Sequence, residues 1–202
     1  VTVNLNRLAY KAKGSEDKFF KLLDKYMRLA KDSLEIKREE VNKNMQDGLM
    51  PYTKAYLGSF RNYFSTIGLC GGNEAALNLI GKSINTNEGK RFIQKTLEFM
   101  RKKLVDFQEE TGHLFNLEAT PAESTSYRFA LLDKKHCPGI ITAGTEQRPY
   151  LTNSTQLPVD YTDDAMEAIL NQSDIQKMYS GGTVFHTFLG EEIGWEEART
   201  LI

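Results

Sequence analysis

Two stretches of this sequence concentrate groups that could hold and activate a polar ligand. One runs Phe115-Asn116-Leu117-Glu118-Ala119-Thr120-Pro121-Ala122-Glu123-Ser124-Thr125-Ser126-Tyr127-Arg128, the other Leu151-Thr152-Asn153-Ser154-Thr155-Gln156-Leu157-Pro158-Val159. Both are dense in hydroxyls, amides and carboxylates yet embedded in apolar residues, a pattern of polar groups carried into an interior. A buried polar atom without a partner costs roughly 1 to 3 kcal/mol, and a ligand is one possible partner. In the first stretch, strand alternation puts Asn116 and Glu118 on one face and Phe115, Leu117 and Ala119 on the other. A carboxylate beside a sugar can accept a proton or hold a hydroxyl, and the pairing with Asn116 favours Glu118 over Glu123 for that task. In the second, Thr152, Asn153, Ser154 and Thr155 offer hydroxyls, an amide and backbone N–H groups, the equipment of an anion cradle that needs no lysine. A plainer account stands beside each. Glu118 could face solvent, Glu123 could be a first-turn helix acid, and the second stretch could be a turn ahead of Pro158.

The elements that must position these groups can be read from periodicity. Val1 to Asn4 alternates as a strand, and Leu5 to Ala12 turns helical until Gly14 interrupts. Ser15 is a fitting N-cap, followed by Glu16 and Asp17 at the positive end of the helix dipole. Phe19, Leu22, Leu23, Tyr26, Met27, Ala30, Leu34, Val41 and Met45 then paint one apolar stripe along a long helix ending near Gly48. Tyr63 to Leu69 reads as a strand, Gly71-Gly72 as a break, and Glu74 to Ile80 as a short helix capped by Asn73. A second long helix is predicted from about Glu88 to Glu110, stopped by Gly112. After the strand Leu114 to Ala119, a helix runs from Pro121 to about Lys135 and closes at Cys137-Pro138-Gly139. A loop of turn formers leads to Tyr150. Another helix starts near Thr162, and Gly181-Gly182 turns the chain into a strand from Thr183 to Leu189. Strands separated by helices predict an α/β organisation with largely parallel or barrel-type strands.

Composition closes off several function classes. With 202 residues, 40% apolar and 26% charged, the chain can build one ordinary core, and disorder is not expected. A formal net charge of -1 with mixed signs offers no basic field for nucleic acid or an anionic membrane. No apolar run approaches the roughly 20 residues that span a bilayer, so the expected location is the cytoplasm. His113, His136 and His186 lack any metal-binding spacing, and Cys70 and Cys137 form no CxxC pair, so no metal site is expected. The strand-like start at Val1 and the open pattern at Leu201-Ile202 suggest an internal piece of a longer protein. Gly71-Gly72-Asn73-Glu74 sits between strand and helix but lacks the spacing of a phosphate loop, and reads as a tight turn.

At the two polar stretches, and through Val1 to Leu8, Asn73 to Ala75 and Gly181 to Glu191, the sequence resembles the anaerobic, class III ribonucleoside-triphosphate reductases. These are glycyl-radical enzymes that replace the ribose 2′-hydroxyl by hydrogen. The resemblance implies that this chain is a single partial domain, 1–202. It would be the later portion of a ten-stranded α/β barrel of the glycyl-radical enzyme and ribonucleotide reductase type, carrying two long helices. It implies that Glu118 acts on substrate and that Asn116, Thr152, Asn153, Ser154 and Thr155 bind a ribonucleoside triphosphate. It also implies a glycyl radical near the C-terminus of the whole protein, installed by an activating enzyme that uses S-adenosylmethionine and an iron-sulfur cluster. A reductant such as formate or a dithiol and a homodimer belong to the same picture. The family's radical cysteine lies in a Gly-Cys-Arg context that neither Cys70 nor Cys137 has, so both read as small buried thiols. The glycyl loop, the four-cysteine zinc site and the nucleotide-sensing domain are likewise missing from this sequence. Two other readings remain: a glycyl-radical enzyme of the formate-lyase type, and a non-catalytic nucleotide-binding module.

Overall fold

The computed structural model describes residues 1–119, 121–186 and 192–201. Its organising element is a parallel sheet in which β1 (Thr2–Asn4), β2 (Ser65–Cys70), β3 (Phe115–Ala119) and β6 (Gly182–Thr183) lie side by side in the order β1-β2-β3-β6. Thr2 pairs with Gly68, Gly68 with Glu118, and Glu118 with Gly182, so these four positions form one row across the sheet. The order follows the chain because each strand returns through helices. Between them come α1 (Leu5–Ala12), α2 (Glu16–Gln46), α3 (Pro51–Leu57), α4 (Gly72–Ile80), α5 (Asn87–Thr111) and α6 (Glu123–His136). After α6 a small antiparallel hairpin, β4 (Ala143–Gly144) and β5 (Pro149–Tyr150), leads to α7 (Ala165–Gln176), and α8 (Trp195–Leu201) follows β6.

The oily side of the sheet is the core. Val3, Ile67, Leu69, Phe115 and Leu117 are buried against Phe19, Leu23 and Met27 of α2 and Ile93, Leu97, Met100 and Phe107 of α5. The two long helices therefore behave as their apolar stripes require, each laying one face on the sheet. Their starts are set locally. The Ser15 hydroxyl accepts from the Lys18 amide, and the Thr86 hydroxyl accepts from the Gly89 amide. Beyond Ala30 the stripe is only partly covered: Leu34 packs against the core and Met45 is buried, while Ile36, off the stripe, is exposed.

Five local expectations are corrected. Asn73 does not cap α4: the cap is Gly71, at a φ of +76°, and the Asn73 amide oxygen instead accepts from Ser83 Oγ and the Ile84 N–H. The segment from Thr183 forms a strand only through Thr183, with Val184 to His186 irregular; Thr187 to Leu189 lie outside the described residues. α3 was not foreseen, and its Tyr52 and Tyr56 are exposed, so no buried stripe marks it. The stretch read as a loop before Tyr150 contains the β4-β5 hairpin. α7 begins at Ala165, with Asp164 accepting from the Met166 and Glu167 amides.

Candidate functional site

The polar face of the sheet is built by alternation and register. Thr66 pairs with Asn116 and Gly68 with Glu118, while Asn4 pairs with Cys70, so these side chains share the side opposite the core. Helix α6 is tied to this face by a buried acid. Asp133 accepts from Asn4 Nδ2 at 3.0 and 3.1 Å, from Asn6 Nδ2 at 3.4 Å and from Arg7 Nε at 2.6 Å. The Asn4-Leu5-Asn6-Arg7 segment is thus a clamp between the first strand and α6. Cys70, Ala130 and Leu151 pack together beside it. Burial pushes the Cys70 thiol up to about 12, which keeps it protonated, and Cys137 is also buried and free.

Two predicted groups lie on this face. Asn116 is buried, and its Oδ1 has no hydrogen-bond partner among the described residues. Its amide packs flat on Gly181, where an added Cβ would fall 2.7 Å from Asn116 Nδ2, so a side chain there would displace it. Glu118, two residues along, is partly exposed.

The Thr152 to Gln156 segment crosses the C-terminal end of β2, where Cys70 and Asn153 form an isolated antiparallel bridge. It rests on the start of α4. The Gly71 N–H donates to the Thr152 carbonyl at 2.8 Å and the Gly72 N–H to the Ser154 carbonyl at 2.9 Å. A Cβ on Gly72 would sit 2.8 Å from that same Ser154 oxygen, so the approach requires glycine. Glu74, 1% exposed, accepts from the Thr152 N–H at 3.0 Å and the Thr152 hydroxyl at 2.7 Å. The Thr152 amide is therefore committed and does not face outward, as the sequence reading had it. Burial raises the Glu74 carboxyl above the ordinary carboxylate range, and the hydrogen bonds from Thr152 oppose this only in part. Ser154 adopts a φ of +45°, its buried Oγ meeting no hydrogen-bond geometry among the described residues, and Thr155 Oγ1 lies 2.7 Å from the Tyr179 hydroxyl. Burial likewise raises the Tyr179 phenol.

Beside this segment opens a cavity of about 320 Å³, within the size range of small-ligand sites. Thr152, Asn153 and Gln156 line its polar side together with Glu123, and Tyr161 and Phe185 supply aromatic wall. The structure thus brings Thr152 and Asn153 into one hollow with Glu123. Glu118 and Asn116 share the sheet face below but do not line the hollow, and Ser154 and Thr155 are turned inward behind it, each 1% exposed. Asn153 Oδ1 accepts from the Ala122 N–H at 3.3 Å, which couples the segment to the start of α6 and so to Glu123. His186 lines the same hollow. No group of three or more potential metal ligands occurs among the described residues.

A family model described as anaerobic ribonucleoside-triphosphate reductase matches residues 1–202. The chain belongs to that family. It is similar to the anaerobic ribonucleoside-triphosphate reductase of Escherichia coli strain K12, at 29% identity over 91% of this chain and 28% of the relative. The Salmonella typhimurium protein of the same name is 28% identical over the same shares. In three dimensions it matches the anaerobic ribonucleotide reductase of Thermotoga maritima with glycerol in the active site, at a TM-score of 0.81 and 27% identity, covering 99% of this chain and 32% of that one. The crystal structure of the same enzyme in complex with dATP and CTP matches at a TM-score of 0.79. The chain therefore spans about 28% of the length of the curated relatives it matches. Of the three readings open to the sequence, the match selects the reductase family.

Within this reductase chain, sequence reasoning overlooked Glu74. The Gly71-Gly72-Asn73-Glu74 run looked like a turn because its spacing fits no phosphate loop. One signal was available: an acid two residues after a glycine pair, leading straight into the apolar run Ala75 to Leu77, is costly to bury unless it has partners.

Proposed function

We propose that this chain supplies a later portion of the ten-stranded catalytic barrel of an anaerobic ribonucleoside-triphosphate reductase, as one partial domain. Its polar sheet face would hold the ribose, and the Thr152 to Thr155 segment would meet the triphosphate. The observation that carries this reading is the buried Oδ1 of Asn116, without a hydrogen-bond partner among the described residues, on the face shared with Glu118 and closed at its end by the Thr152 segment. A buried acceptor without a donor is uncommon in native proteins, and a ribose hydroxyl would satisfy it.

On this reading Asn116 orients the ribose by accepting from a hydroxyl, and Glu118 holds a second hydroxyl or takes its proton. Asn153 fixes the phosphate end from the side of the hollow, Thr152 anchors the segment to α4, and Ser154 and Thr155 shape the turn. The glycyl radical of the whole enzyme, installed by an S-adenosylmethionine iron-sulfur activating enzyme, would supply the one-electron chemistry from outside this chain. Cys70, fully enclosed beside Ala130 and Leu151, is unsuited to reach substrate and carry it. Net reaction replaces the 2′-hydroxyl by hydrogen and releases water; a dithiol would supply both electrons and both protons, whereas formate, leaving as carbon dioxide, would supply both electrons and one proton, the second coming from solvent. The zinc site, the dimer contacts and the nucleotide-sensing domain would reside in other parts of a cytoplasmic enzyme. No described helix is long and apolar enough to cross a membrane.

The test uses the full-length, anaerobically activated enzyme. Glu118→Gln is expected to lower kcat by about 100-fold or more, the scale of losing a positioned acid–base group. A rate within threefold of the parent would remove Glu118 from the chemistry, and a parallel Glu123→Gln would show whether the acid lining the hollow serves instead. The chain by itself should form no deoxynucleotide; measurable product from it would overturn the assignment of the radical group to other parts.

A further inference from the structure

Thr152 has three polar groups, and the start of α4 occupies all three. Its carbonyl takes the Gly71 N–H, its N–H goes to Glu74 Oε2 and its hydroxyl to Glu74 Oε1. Two residues on, the Ser154 carbonyl takes the Gly72 N–H. The next turn of the same helix is equally fixed, since Asn78 Nδ2 donates to Asn6 Oδ1 at 2.7 Å and Asn6 in turn reaches Asp133. The segment is therefore a rigid extension of α4, α1 and α6, although by composition it is a flexible Thr/Asn/Ser turn. Ser154 at a φ of +45° is a conformation that L residues hold only where neighbours impose it.

We infer that Glu74 is the positioning residue of this segment, its side chain setting the backbone of Thr152 to Thr155 in the shape that receives the substrate phosphates. The inference rests on the phosphate reading given above. Nothing else among the described residues bonds the Thr152 N–H, and a turn released at that point could rotate its peptide planes away from the hollow. The group is suited to stand behind an anion site. Burial biases its carboxyl towards the neutral form, which lessens the negative charge set against a triphosphate. Glutamine keeps the bond from the Thr152 N–H through its carbonyl and holds the hydroxyl by the reverse bond, its NH₂ donating to the Thr152 hydroxyl oxygen. Methionine has similar reach and offers neither.

In the full-length enzyme Glu74→Met should raise KM for the ribonucleoside triphosphate more than fivefold with kcat within twofold, while Glu74→Gln keeps both within those limits. A Met variant with KM inside fivefold, a Gln variant outside it, or a loss confined to kcat would overturn the inference. If the Met variant does not fold, Glu74→Asp, one methylene too short to reach Thr152, takes its place under the same limits. Failure of both to fold would make Glu74 a core residue and count against it. Asn153→Ala separates the two levels. If it raises KM and Glu74→Met does not, only the role of Glu74 fails; if neither moves KM, the phosphate reading itself fails.

Discussion

The two faces of the parallel sheet obey different rules. On one, Val3, Ile67, Leu69, Phe115 and Leu117 close against α2 and α5, and every side chain there gains by leaving water. On the other, Asn4, Thr66, Asn116 and Glu118 face a partly open space, and Asn116 keeps a buried acceptor that nothing in the described chain satisfies. The first face is organised for stability and the second sacrifices some of it, a combination expected where a ligand is to be the missing partner. The difference also separates two kinds of carboxylate. Asp133 and Glu74 are enclosed and fully engaged with protein groups, whereas Glu118 is partly exposed on the polar face.

The contrast can be broken most severely from the oily side. Leu117→Ala should destabilise by about 2 to 5 kcal/mol, the range for truncating a fully buried leucine, measured by urea unfolding. A smaller loss would mean the sheet is not seated on the helices as described. Next in size, Asp133→Ala should cost about 3 kcal/mol, because it leaves the Arg7 guanidinium and two asparagine amides at the buried end of α6 without their acceptor. Stability should also depend on pH through Glu74. Its folded carboxyl titrates above the unfolded one, so the native state binds the proton more tightly. That contribution is complete below the ordinary carboxylate range and fades as pH rises through the elevated folded value. Glu74→Gln should flatten the decline, and an unchanged slope in pH-dependent melts would place the effect elsewhere. The smallest effect is the most telling. Asn116→Ala should change stability by less than about 1 kcal/mol, since it removes a bond-less acceptor, yet should abolish most turnover in the full-length enzyme. A large stability loss with activity retained would make Asn116 an ordinary core residue.

Legibility in the sequence followed the range of the forces involved. The long helices were readable because Phe19, Leu23 and Met27, or Ile93, Leu97 and Met100, repeat at helical spacing, and because Ser15 caps by a contact three residues away. The polar face of β3 was readable because alternation has no other outcome once Phe115 and Leu117 are buried. Asn73 misled, since a capping residue type stood at the right place while its partners, Ser83 and Ile84, lie ten and eleven residues on. The hollow was half legible. Thr152 and Asn153 came from local composition, but the choice between Glu118 and Glu123 depended on how the strand end and the α6 start are placed around Asn153, which alternation does not encode.

Periodicity, capping chemistry and the embedded polar stretches were enough, from the sequence by itself, to determine the α/β order of elements and the two segments where chemistry would concentrate. Only the folded chain could decide that Gly71 and Glu74 at the start of α4 grip Thr152, that Gly72 must lack a side chain under Ser154, and that Glu74 belongs to the site. These are contacts across nearly eighty residues of chain, made by groups whose types are common in turns. Their meaning comes from burial, which turns an ordinary glutamate into a fixed support for the loop above it.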